Sequence, residues 1–293
     1  MRDSGDYFGG WDMVEIDKLV KQYGDFCLDI SLEIPDGVIT GVIGKNGAGK
    51  STMIKSILGL IKPTSGSVKV FDKDVESLTQ SDKCDIGVAL AESGFSMYLS
   101  AKDIAGILGK MYPRFKEDFF FDKCKQLGLP MGKQIKDYST GMKAKLRVLV
   151  AISHEARLLI LDEPTAGLDV EARNEILDML RQYMAEDESR SILISSHISS
   201  DLEGLCDDIY LIHDGKLLLH EETDNIMNSY ALVKVDENDY EAIDKRYFLS
   251  SKKVSFGYVC LTNQKQYYIE NYPKVVVENG NIDELILLMT GGK

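Results

Sequence analysis

The sequence predicts an α/β fold: a mostly parallel sheet covered by helices, an inserted helical subdomain, and a small α+β accessory domain at the C-terminal end. Three observations carry that expectation. A short apolar run from Val38 to Ile43 leads into a glycine-rich loop, after which Met53, Ile54, Ile57, Leu58 and Ile61 recur at helical spacing. Further along, Leu158 to Leu161, Ser191 to Ser195 and Ile209 to His213 read as short buried strands, with a helical stretch, Val170 to Met184, between the first two. Strands alternating with helices imply parallel pairing. Finally, the texture changes near Ala231 to tyrosine-rich, short alternating runs.

Taken in order, Val14 to Ile34 alternates apolar and polar residues, and Pro35-Asp36-Gly37 is a turn signal before the strand at Val38. Lys62-Pro63-Thr64-Ser65-Gly66 stops the helix after the glycine-rich loop. About Ser93 to His154 reads as mostly helical, broken at Tyr112-Pro113 and Gly128-Leu129-Pro130, and forms the expected insertion. Past Ala231, Leu232 to Val235, Tyr258 to Leu261 and Val275 to Val277 read as strands, and Ile282 to Met289 as an apolar helix. The expected organisation is an extension without fixed structure over 1–12, a main domain over 13–230 with the helical subdomain at about 93–154, and the accessory domain over 231–293. A chain of 293 residues is long enough for one large core with a small appendage.

Composition narrows the partners. The formal net charge is -13 and the pI about 4.9, so the long-range field repels phosphodiester backbones and nucleic acid is not an expected partner. No run approaches the roughly 18 apolar residues of a bilayer span, and Met1 to Asp12 reads without a signal-peptide core, so the expected location is the cytosol. Cys27, Cys84, Cys124, Cys206 and Cys260 stand singly and read as buried reduced thiols.

Two motifs carry chemistry. Gly44-Lys45-Asn46-Gly47-Ala48-Gly49-Lys50-Ser51 matches the P-loop pattern GxxxxGK[ST], in which glycines let consecutive backbone N–H groups close around phosphate oxygens at a helix N-terminus. Lys50 would reach the β- and γ-phosphates, Ser51 would ligate Mg²⁺, and Thr52 follows in the first helical turn. Leu158 to Leu161 ends in Asp162-Glu163, which would set Asp162 near the metal and Glu163 beside an attacking water.

Beyond these, Pro164-Thr165-Ala166-Gly167-Leu168-Asp169 resembles the D-loop of ATP-binding-cassette (ABC) ATPases. Tyr138-Ser139-Thr140-Gly141-Met142 resembles their LSGGQ signature, Ile194-Ser195-Ser196-His197 resembles their switch-histidine strand, and Tyr23 sits where they place an aromatic that stacks on adenine. The resemblance covers about Met13 to Met227, with the motifs in family order. The signature also reads physically: Ser139 begins a segment in which Met142, Leu146, Leu149 and Val150 share one helical face, so its hydroxyl and the first-turn N–H groups form an anion site, and Gly141 allows close backbone approach. Two departures stand out. Ala91 or Glu92 occupies the loop where the family has glutamine, and Thr140 and Met142 replace a glycine and a glutamine of the signature, a variant similar to ATPases of small bacterial export systems with a separately encoded permease.

The resemblance implies an ATP- and Mg²⁺-dependent ATPase subunit with Glu163 as general base, Ser51 and Asp162 at the metal, and His197 on the γ-phosphate. It implies a head-to-tail dimer, with itself or a paralogous ATPase, in which ATP lies between Lys50 of one chain and Ser139, Gly141 and Asp169 of the other. It also implies a peripheral position on the inner face of the cell membrane beneath a transmembrane permease that selects the substrate. Phe95, Met97 and Tyr98 are candidates for contact with that permease, with core packing an equal alternative. Two rival readings are a non-transport ABC ATPase and a regulatory nucleotide-binding module without turnover.

Overall fold

The computed structural model describes residues 13–90 and 95–291. The extension expected over 1–12, and both Ala91 and Glu92, lie outside the described residues. The order of elements is β1 (Val14–Tyr23), β2 (Phe26–Ile34), β3 (Ile39–Ile43), α1 (Lys50–Ile57), β4 (Ser65–Val70), β5 (Lys73–Asp74), α2 (Gln80–Cys84) and β6 (Ile86–Ala89). Then come α3 (Ala101–Met111), α4 (Glu117–Gln126), α5 (Thr140–Ile152), β7 (Leu158–Asp162), α6 (Val170–Ala185), β8 (Ser191–Ser196), α7 (Ser199–Glu203), β9 (Asp208–His213), β10 (Lys216–Glu222) and α8 (Thr223–Ser229). The last stretch holds β11 (Ala231–Val235), α9 (Glu237–Ala242), β12 (Phe248–Val254), β13 (Gly257–Thr262), α10 (Lys265–Asn271), β14 (Val276–Asn279) and α11 (Ile282–Met289).

The first ten strands form one sheet in the order β5-β4-β1-β2-β10-β9-β3-β8-β7-β6. The expected parallel sheet is its β9-β3-β8-β7-β6 half. The other half is largely antiparallel: β1 pairs antiparallel with β2 and β4, and β9 with β10, while β10 meets β2 in a single parallel step, Lys216 opposite Asp29. The cause is turn chemistry. Asp214 and Gly215 both take positive φ, 46° and 74°, so the chain reverses directly after β9 instead of crossing over. β10 was not expected because its buried side is only half covered.

The parallel strands β3, β7 and β8 are buried along their whole length, which is why they read as unbroken apolar runs rather than alternating ones. One face, with Val42, Ile160 and Leu193, packs on Met53, Ile54 and Ile57 of α1. The opposite face, with Ile43, Leu159, Leu161 and Ile194, packs on Leu149 of α5 and Ile176 and Leu180 of α6. Because β6 and β7 are parallel neighbours, the chain between them must return by a crossover, and α3, α4 and α5 make it. A capping box at Ser100 and Asp103 starts α3, and Ile104, Leu108, Phe120, Cys124 and Leu129 continue the main core into the crossover.

After Tyr230 a second, antiparallel sheet runs β12-β13-β11-β14. Alternation along β11 divides its contacts: Leu232 faces the main core together with Tyr230, Leu261, Ile282 and Leu285, while Val233 and Val235 join Ile243, Cys260 and Tyr268 in a separate small cluster. α11 closes against α7, where the Ile282 N–H donates to Glu203 Oε1 at 3.0 Å. β12 escaped the sequence reading because Ser250-Ser251-Lys252-Lys253 is polar at a sheet edge. Of the five cysteines, all free, Cys124, Cys206 and Cys260 are buried, whereas Cys27 and Cys84 are half-buried, against the expectation of burial throughout.

Phe120→Ala tests the crossover core. Its ring is fully buried between Phe115 and Phe121, so truncation is expected to cost about 3–5 kcal/mol, read as a lower urea midpoint with unchanged slope.

Candidate functional site

The site lies at the C-terminal ends of β3, β7 and β8. β3 stops at Ile43, and residues 44–49 turn into α1 with Gly49 as the N-cap. Gly49 has φ 118°, and a β-carbon there would lie 2.7 Å from Leu28 Cδ1, so both conformation and space demand glycine. No side chain caps α1, which leaves its first N–H groups available to a phosphate. Lys50 is buried, and its ammonium donates to Gly44 O at 2.5 Å and lies 3.1 Å from Glu163 Oε1. The contact with Glu163 is ionic only, since that oxygen has no hydrogen-bond partner.

Asp162 ends β7 and is held from both sides: Ser51 Oγ donates to Oδ2 at 2.8 Å and Ser195 Oγ donates to Oδ1 at 2.5 Å. The next residue, Glu163, adopts φ 51°, a left-handed conformation that costs a non-glycine residue roughly 1–2 kcal/mol. Its N–H is shared between Ser195 O and Ser195 Oγ, both at 3.1 Å, and this pins the strained turn. The Glu163 carboxylate then meets His197: Oε2 lies 2.6 Å from Nδ1 and accepts from the His197 N–H at 3.2 Å. Two carboxylates against one ammonium leave a local negative excess. The Ser51 and Asp162 oxygens are hard donors and fit Mg²⁺, which binds through one or two carboxylates plus phosphate oxygens rather than a full protein cage.

The remaining expected residues fall into two groups. Lys45, Asn46 and Gly47 are exposed on the P-loop, Ala48 is buried beneath it, and Thr52 is half-buried in α1. Tyr23, 47% exposed, pairs across the β1–β2 hairpin with Phe26, whose ring touches the space beside Gly49, so Tyr23 stands at the rim of the P-loop. Ser139, Gly141 and Asp169 are not joined to that cluster by any hydrogen bond or ion pair among the described residues. Ser139 caps α5, accepting from the Met142 N–H at 3.2 Å, and Asp169 caps α6, accepting from the Ala172 N–H at 2.8 Å. Gly141 has an intrachain reason to be glycine, because a β-carbon would lie 3.2 Å from Ala172 Cβ.

Phe95 is half-buried against the core rather than exposed, whereas Met97 and Tyr98 are exposed. Phe95 and Met97 border a groove of about 310 Å³ with Leu146 and Val150. It runs on past Arg147 to a second hollow ending at His154. That imidazole stacks on Tyr112, and burial pushes its pKa below the ordinary value, which keeps the ring neutral. Sequence reasoning missed Ser195 as the residue that holds both acids, and it missed a buried cluster of Thr165, Arg173 and Asp201. Three separated segments build that cluster, and nothing in their local patterns announces it.

A P-loop at the end of β3, with two acids at the end of β7 one strand beyond the neighbouring β8, defines the class of P-loop nucleoside triphosphatases. Residues 27–166 match the family described as ABC transporter. The bacitracin transport ATP-binding protein BcrA of Enterococcus faecalis is 35% identical over 210 residues, covering 70% of this chain and 68% of that protein. The lantibiotic transport ATP-binding protein SrtF of Streptococcus pyogenes is 34% identical over 220 residues, covering 74% and 93%. The ABC transporter ATP-binding protein YtrB of Bacillus subtilis is 28% identical over 291 residues, covering 96% and 99%, so that likeness continues through the second sheet. A solved ATP-binding subunit of an ABC transporter has TM-score 0.65 at 25% identity, covering 73% of this chain and 91% of its own. The chain belongs to the ATP-binding subunits of ABC transporters and is an ATPase.

The Lys50–Glu163 contact predicts non-additivity. Lys50→Ala strands the buried Glu163 Oε1 without its cation and is expected to lower nucleotide-free stability by about 1–3 kcal/mol in urea unfolding. Adding Glu163→Gln removes the stranded charge, and the double variant is expected to recover part of that loss.

Proposed function

We propose that the chain drives a separate transmembrane permease by ATP-dependent, head-to-tail dimerisation with a second copy of itself or a paralogous ATPase. One observation carries this reading: Lys50, Asp162, Glu163 and His197 converge, while the capped, exposed start of α5 at Ser139 and Thr140 stays apart from them. A half-site and an unused anion-binding helix end on one chain complement each other across two chains.

In the proposed reaction ATP and water give ADP and phosphate. Glu163 accepts the proton of the attacking water, with its carboxylate oriented by His197 at 2.6 Å. His197 steadies the γ-phosphate. Lys50 exchanges its contact with Glu163 for the β- and γ-phosphate oxygens, which frees the base as substrate arrives. Ser51 and Asp162 would hold Mg²⁺, which supplies charge neutralisation at those phosphates. Tyr23 stacks on the adenine, and Ser139, Gly141 and Asp169 complete the site of the partner chain.

The groove bordered by Phe95, Met97, Leu146 and Val150 would receive a cytoplasmic helix of the permease, and the subunit would then sit on the inner face of the membrane. No helix among the described residues is long and apolar enough to cross a membrane. Export is the favoured direction, because the Ser139-Thr140-Gly141-Met142 variant of the signature is similar to that of small bacterial export systems. The residues over 231–293 form an accessory domain on the ATPase domain.

Glu163→Gln is expected to lower steady-state ATP turnover by about 10²- to 10⁴-fold while nucleotide binding persists, and to accumulate an ATP-bound dimer on a sizing column. Wild-type turnover would remove Glu163 from the mechanism. For the dimer, Ser139→Asp keeps an N-cap side chain but sets a negative charge where the partner's phosphates would lie. This variant should bind ATP as a monomer and fail to dimerise. Mixing it with Lys50→Ala should restore partial dimerisation, because one composite site is then intact; normal dimerisation of Ser139→Asp alone would refute the head-to-tail arrangement.

A further inference from the structure

Asp201 is completely buried on α7, and both of its oxygens are engaged. Thr165 Oγ1 donates to Oδ2 at 2.6 Å, and Arg173 Nε donates to Oδ1. The Arg173 guanidinium also reaches Ser200 Oγ at 2.5 Å. Thr165 is itself fully buried, two residues beyond Glu163, and the Ala166 N–H binds back to Glu163 O at 3.3 Å. On the other side, the Asp201 N–H donates to Ile198 O at 3.3 Å, one residue after His197.

These contacts close a ring. The segment 163–165 and the segment 197–201 are bridged at one end by Glu163 and His197, 2.6 Å apart, and at the other by Thr165 and Asp201. Separating the second bridge would leave Asp201 Oδ2 buried without its donor, so the two segments shift together. Arg173 extends the same constraint to α6, where its N–H is bonded to Asp169 O at 3.1 Å.

We propose that Asp201 and Thr165 are positioning residues that hold the loop after Glu163 and the His197 segment in one register, so that base and histidine meet the γ-phosphate as a unit. The proposal rests on the ATPase reading above and adds to it a route from the loop at Thr165–Asp169 to His197. A simpler role, stabilisation by a buried ion pair, would lower the melting temperature without acting through His197.

The test is a double-mutant cycle in the full-length protein. Thr165→Val deletes the hydroxyl at nearly constant volume and is expected to lower kcat for ATP roughly ten- to a hundredfold, with KM changed by less than about twofold. Thr165→Ser keeps the donor and should stay within about twofold of wild type. In a His197→Ala background, Thr165→Val should reduce kcat by less than about twofold further, because its effect is transmitted through the missing side chain. Arg173→Lys keeps the charge at a half-buried position but loses the fork, and should behave like Thr165→Val if that variant fails to fold. An unchanged kcat in Thr165→Val, or losses that multiply fully with His197→Ala, would overturn the proposal. Absence of ATP hydrolysis by the wild-type protein would instead overturn the reading on which it rests.

Discussion

The site depends on the register of three parallel strands, and Asp162 marks the point where they converge. Val42 and Asp162 both lie opposite Ser195, so β3, β8 and β7 end level with one another. Level ends bring the P-loop, the acid pair and the histidine segment to one edge of the sheet, the place where open α/β sheets bind ligands. Ser195 then does two things at once, donating to Asp162 and receiving the Glu163 N–H. One hydroxyl on the middle strand thereby holds the Asp162 carboxylate and the Glu163 backbone on its neighbour.

This arrangement is costly. Glu163 adopts a left-handed backbone conformation, Lys50 is withdrawn from water, and Asp162 is nearly so. Each cost is met by a specific contact: Ser195 for the turn, Gly44 O and Glu163 for the ammonium, Ser51 and Ser195 for the carboxylate. What keeps those partners in place is the double-sided packing of β3, β7 and β8 between α1 and the α5–α6 pair. Strain of this kind persists only where the surroundings over-determine it, and it concentrates where chemistry occurs.

The second sheet is not an independent lobe. Leu232, Leu261, Ile282 and Leu285 continue the main core, and α11 meets α7, the short helix that carries Asp201. Its opposite face holds a separate cluster around Tyr268, closed by the Tyr267 and Tyr268 hydroxyls on Asp244. The second sheet is therefore seated against the segment that follows His197, within one helix of the P-loop edge of the main sheet.

The local signals were those a single strand, turn or helix start can carry. GxxxxGK[ST] marked the P-loop because phosphate binding needs glycine conformations and a helix N-terminus in consecutive residues, and the unbroken run Leu158 to Leu161 marked a strand buried on both faces. Ser139 was legible as a cap for the same reason. The antiparallel half of the sheet was only partly legible: the alternation in β1 and β2 showed, whereas β10 and β12, half-covered or at an edge, carry too little apolar pattern to stand out. What tertiary structure alone decided is every relation between segments far apart in the chain: Lys50 against Glu163, Ser195 between the two acids, the close approach of Gly141 to Ala172, and Asp201 enclosed by Thr165 and Arg173. Local sequence specifies the conformations that a few neighbouring residues can adopt, but which buried charge meets which partner is settled only when strands lock into register and exclude water between them.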